Sequence, residues 1–187
     1  LLDTTSTTPT MVKAPLEIVV VIRDFQLRLL SYVKVIDGRS IIVFAVDQWV
    51  FDRDADRGFL GEALASILIF PYTTLKGKEY LHTQEIILKK RLVLELLANL
   101  VASFPELSYL MRIKPQYFMY EAMLNRIRVF PPLVYSIPKF MHSKVHKKEV
   151  ESVLRGYNEA LDQLEGEKKV LLSNGYVLVP EKFVKES

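Results

Sequence analysis

Gly38-Arg-Ser-Ile-Ile-Val-Phe-Ala-Val-Asp47-Gln-Trp-Val-Phe-Asp52-Arg-Asp54-Ala-Asp56 is the stretch on which the fold turns. From Ile41 to Val46 every residue is apolar, the pattern of a strand covered on both faces. The run ends on Asp47, and a carboxylate carried on such a strand needs a metal, a cation or a hydrogen-bond donor, because an unpaired charge out of water is costly. Upstream, Leu16–Arg23 and Leu27–Ile36 are also β-rich. Asp37-Gly38 joins the second of these to Ser40–Phe51 as a two-residue hairpin signal. The expectation is an antiparallel β-meander with a buried third strand.

Downstream the period becomes helical. Phe59, Leu60, Ala63, Leu64, Ile67 and Leu68 share a face and predict a helix from Arg57 that stops at Phe70-Pro71. A longer, mostly buried helix is expected from Thr83 to Ser103, ended by Pro105. Pro115 opens another, which halts at Pro131-Pro132, and a short element reaches Pro138. After the basic linker His142–Lys148, a helix over Glu149–Leu164 leads into strands at Lys169–Leu172 and Tyr176–Val179 around Ser173-Asn174-Gly175. A helix followed by an Asn-Gly hairpin is the outline of a winged helix. The fold class is therefore α+β: an antiparallel β-meander packed against helices, then a helical segment and a C-terminal winged-helix-like unit. Residues 1–15, rich in threonine, read as a flexible lead-in, 16–110 as one α+β domain, and 111–187 as the helical and winged-helix-like region.

Composition narrows the chemistry. The chain has 187 residues and half of them are apolar, enough for a sizeable core. It has no cysteine, so disulfides, thiolate metal sites and cysteine nucleophiles are excluded. No window approaches the roughly 18 uncharged apolar residues of a membrane span, and the N-terminus lacks the pattern of a signal peptide, so a cytoplasmic protein is expected. Sparse Asn and Gln beside frequent Glu, Lys and Arg lean toward a heat-adapted source. The net charge of +3 is unevenly spread, since residues 76–150 hold 13 basic and 6 acidic side chains. A positive surface of that kind favours phosphate-bearing partners, although solvated lysines on a helical bundle would count the same way.

Four constellations could carry chemistry. Glu17 and Asp47 each sit in an apolar strand, and on neighbouring strands they would share a magnesium ion; the simpler alternative is a solvated glutamate and a turn-capping aspartate. Asp52, Asp54 and Asp56 alternate like the start of a calcium loop, but Glu62 falls too early to close one, and acids complementing a helix dipole explain them as well. Arg112, Lys114, Arg126 and Arg128, interleaved with Tyr117 and Tyr120 and continued by Lys139, Lys144, Lys147 and Lys148, suit nucleic-acid binding, with rings stacking bases and cations holding phosphates. Tyr117, Tyr120 and Leu124 equally describe a core stripe. His142 and His146 have i, i+4 spacing, yet neither they nor His82 sit in a His-Glu-x-x-His motif. No Gly-x-Ser-x-Gly elbow or glycine-rich phosphate loop occurs.

Glu17 followed by Ile18-Val19-Val20-Val21, and Asp47 after Ile41–Val46, resemble the second and third carboxylates of the polymerase-β-like nucleotidyltransferases in their archaeal minimal form. The resemblance covers residues 10–70 and the habit of following the sheet with helices. It implies a magnesium site at Glu17 and Asp47 and nucleotidyl transfer as the catalytic activity. Pro15 occupies the place of the first carboxylate and no Gly-Ser turn precedes it, so catalysis would be impaired. The resulting expectation is an impaired nucleotidyltransferase-like domain that binds nucleotide or nucleic acid, or part of a longer polypeptide or assembly. The alternative is a non-catalytic winged-helix module that binds DNA or a protein.

Overall fold

A computed structural model describes residues 15–26, 28–129 and 144–181. It is an α+β chain that divides into two compact units, Leu1–Phe51 and Asp52–Ser187. The division lies inside a helix and assigns the long central helix to the same unit as all that follows. No helix among the described residues is long and apolar enough to cross a membrane.

The first unit is a sheet of β1 (Leu16–Ile22), β2 (Leu29–Ile36) and β3 (Arg39–Asp47) in the order β1-β3-β2. β2 and β3 form the expected hairpin, and Asp37 and Gly38 take the positive φ values of 48° and 71° that a two-residue turn requires. β1 departs from the meander, because it pairs in parallel with β3 instead of lying beside β2. β3 is therefore the central strand, although only Val46 and Asp47 on it are buried. At the end of β3 the Asp47 N–H donates to the Arg28 carbonyl at 3.0 Å. β3 also ends earlier than expected: α1 (Gln48–Arg57) starts directly after Asp47.

In the second unit, the helix expected after Arg57 is absent. Residues 59–64 form turns and only Ala65–Ile69 form a short 3₁₀ helix. Asp54 explains the difference, because its carboxylate captures the N–H groups of Leu60, Glu62, Leu64 and Ala65 at 2.7 to 3.1 Å. Those donors are then unable to point along a helix axis. Gly58 and Gly61, at φ 62° and 65°, and Glu62, at φ 61°, let the chain wrap the carboxylate.

The core is built by α2 (Lys78–Ser103), α3 (Pro115–Val129) and α4 (Lys144–Gly166). α2 begins five residues before Thr83, just after the left-handed Gly77. Buried faces are supplied by Ile86, Val93, Leu97 and Val101 of α2, Phe118, Met119, Ala122 and Met123 of α3, and Val153, Tyr157, Ala160, Leu161 and Leu164 of α4. Tyr117, Tyr120 and Leu124 lie outside that core and are exposed. α2 and α4 approach closely at Gly156, where an added Cβ would collide with Glu85 Oε1 and stand 2.5 Å from Lys89 Nζ. β4 (Leu171–Ser173) and β5 (Tyr176–Leu178) follow as the expected hairpin, turning at Asn174 and Gly175 with φ 50° and 77°. The short element near Pro138 and the lead-in through residue 14 lie outside the described residues.

Candidate nucleic-acid interface

The first pair of site residues is not brought together. In the parallel β1–β3 register Glu17 faces Ile42, whereas Asp47 faces Ile22. The carboxylates are thus separated by five residues of strand, roughly 16 Å at the usual rise, and by their odd spacing they emerge on opposite faces of the sheet. Glu17 is exposed, while buried Asp47 accepts the Trp49 N–H at 2.8 Å and so caps α1. Among the described residues, no group of three or more His, Asp or Glu side chains could hold a metal ion. Replacing Asp47 by alanine is expected to cost about 1 to 2 kcal/mol of stability, the usual effect of losing an N-cap, and Glu17→Ala to cost almost nothing. Paired urea titrations measure both.

The acidic cluster is likewise committed to structure. Asp52 accepts the Tyr80 hydroxyl at 2.6 Å, which together with burial pushes that phenol well above its ordinary pKa. Asp54 organises the 58–65 loop, and Asp56 pairs with Arg53 and Arg57. All three stand in the later turns of α1, not at its N-terminus, so the helix dipole does not account for them.

The basic residues separate into two groups. Arg126 is a structural cation: it pairs with buried Glu62, donates to the Gly61 carbonyl at 3.4 Å, and its side chain is only 15% exposed. Glu62 also holds Arg91 at 2.6 Å, and Arg91 reaches the Ala55 carbonyl and Glu95. Burial lowers the Arg126 pKa, and the nearby Asp54 charge opposes that shift. Arg126 is therefore unavailable to a phosphate. Arg112, Lys114, Arg128, Lys147 and Lys148 are exposed; Arg128 spends one N–H on Asn125 at 3.1 Å. Lys144 opens α4, with its side chain outside the described residues, as are Lys139 and His142.

These exposed cations lie on a connected set of elements. Arg112 and Lys114 flank Ile113, whose backbone forms an antiparallel bridge to Val177 of β5 with hydrogen bonds of 3.0 and 2.7 Å. The hairpin is therefore held to the strand-like residue that precedes α3. Its base is fixed a second time, because Glu165 accepts the Leu172 N–H at 2.8 Å and Glu167 pairs with Lys90 of α2 and with Lys169. Hydrogen bonds from Lys169 and Lys90 hold the Glu167 carboxyl below the usual carboxylate range. α4 itself is polarised along its length. Residues 144–155 carry four basic and two acidic side chains, whereas 156–166 carry three acidic and no basic ones.

Sequence reasoning missed the buried network beneath this surface. Lys89 is fully buried, donates to Glu85 at 2.5 Å and to the Val153 carbonyl at 2.9 Å, and lies 4.8 Å from the Tyr157 ring centre. Desolvation pulls its pKa down, and the Glu85 carboxylate pulls it back up. Glu85 also accepts the Tyr72 hydroxyl at 2.8 Å. The only signal in the sequence was Gly156 in the middle of a helical pattern, which marks a close approach.

No protein-family model matches the chain, and no curated protein or solved structure matches it. Function has to be argued from the site alone.

Proposed function

We propose that the unit Asp52–Ser187 is a winged-helix-type module that binds double-stranded nucleic acid, with α4 as the groove-facing helix and the β4–β5 hairpin as the wing. The observation that carries this reading is the Ile113–Val177 bridge. With it, the order among the described residues becomes helix (α2), a 3₁₀ turn at Pro105–Leu110, short strand (Ile113), helix (α3), helix (α4), hairpin, and the short strand pairs with the second strand of the hairpin. That order and pairing support the reading as a three-helix winged unit. The charge gradient of α4 supports the same reading. Recognition helices meet the duplex with their N-terminal residues, and it is the N-terminal half of α4 that is basic. Lys147 and Lys148 there, with Arg112, Lys114 and Arg128, would hold backbone phosphates, which fix position without reading sequence.

Fluorescence anisotropy with a labelled 20-base-pair duplex tests the proposal. Affinity should fall steeply with salt as counterions are released, and Lys147→Ala/Lys148→Ala should weaken binding about tenfold in 100 mM salt and reduce the log–log salt slope by about 2. Binding that is absent, or unaffected by the double substitution, would refute it.

A further inference from the structure

We infer that β2 is a self-association edge, through which two copies of this chain join their sheets antiparallel about a two-fold axis at Val33. Among the described residues the order β1-β3-β2 leaves β2 on the outside with all eight of its residues exposed, Tyr32 and Val33 at 60% and Val35 at 65%. Sheet edges are ordinarily blunted by proline, bulges, short length or several charges. β2 has no proline, pairs with β3 without interruption, and carries Lys34 as its one charge.

The backbone fixes which groups are available to a second copy. In a two-residue hairpin the residues flanking the turn form the hydrogen-bonded pair, here Ile36 and Arg39. At the other end of the strand the Asp47 N–H donates to the Arg28 carbonyl. Even-numbered residues of β2 therefore point their N–H and C=O groups at β3, and by alternation Leu29, Ser31, Val33 and Val35 point theirs outward. An antiparallel partner must match outward residues with outward residues, so only registers related by an axis at a residue are allowed.

Two such axes keep most of the strand paired. One at Tyr32 sets Leu30 against Lys34 of the second copy. One at Val33 sets Leu30 against Ile36 and places the Lys34 ammonium beside the Tyr32 ring, twice over by symmetry. The second buries apolar against apolar and gives the lone cation an aromatic face. Because the patch is complementary to itself, the assembly closes at two chains.

Sedimentation equilibrium of the full chain tests this, with circular dichroism as the check on folding. The mass should rise with concentration from 21.6 kDa to a plateau at twice that value. Val33→Pro removes one outward N–H and no bond to β3, so it should stay monomeric with its fold intact. Val33→Lys, which sets two ammonium groups face to face at the axis, should do the same and serves if the proline variant does not fold. A wild-type chain that remains monomeric at every concentration, a mass that climbs beyond two copies, or folded variants that still dimerise would overturn the inference.

Discussion

Asp54→Ala is expected to lower the free energy of unfolding by about 4 kcal/mol, seen as a lower urea midpoint with an unchanged slope. The carboxylate is fully buried and accepts from four backbone N–H groups. Hydrogen bonds to a charged acceptor contribute about 1.5 to 3 kcal/mol each, and the total stays below their sum because the loop can relax and admit water. The same loop carries Glu62, which holds Arg91 and Arg126, so the damage extends to α2 and α3. Asp54→Asn keeps the shape but turns one oxygen into an amide donor facing two N–H groups. It should recover less than half of the loss. A cost below about 1 kcal/mol for the alanine variant would mean that the loop holds its own shape, and the explanation given for the missing helix would fail.

The second large effect concerns Lys89. Lys89→Met should cost about 3 kcal/mol at a pH where His82, 3.7 Å from Glu85, is neutral, because methionine fills the space but leaves buried Glu85 without the lysine cation. Adding Glu85→Gln should restore stability to within about 1 kcal/mol of wild type, since the glutamine carbonyl still accepts from Tyr72 and no buried charge is left unpaired. The double-mutant cycle, read by urea unfolding, separates the two explanations of a costly single variant. Coupling of about 2 kcal/mol or more indicates an orphaned charge, whereas additive losses would indicate lost packing alone.

Particular residues show what was legible in the sequence. Asp37-Gly38 and Asn174-Gly175 gave both hairpins, because a type I′ turn needs positive φ at two successive positions and those residue pairs tolerate it. The requirement that Asp47 find a partner was also readable, but the partner is the amide of Trp49 two residues on, a local bond that the pattern of apolar strand and carboxylate does not signal. The order of strands was not readable, since pattern alone does not tell which of two β-rich neighbours a buried strand takes on each side. Arg126 and Lys89 were hidden for a different reason. Counting charge along the chain treats every cation as solvated, while Arg126 pairs with a glutamate sixty-four positions upstream and Lys89 sits within a Lys-Lys-Arg run that looks like surface. The loop after α1 misled through its apolar spacing. Phe59 to Leu68 have helical periodicity, yet Gly58 and Gly61 were the signals that the chain would wrap around Asp54 instead.

Hydrogen exchange of the full chain, measured by mass spectrometry with and without a saturating DNA duplex at low salt, tests the central claim most directly. The account predicts added protection in residues 147–155 and 168–176, with little change in the Asp54 loop or in the β1-β3-β2 sheet. Protection confined to the sheet, or no difference anywhere, would contradict it.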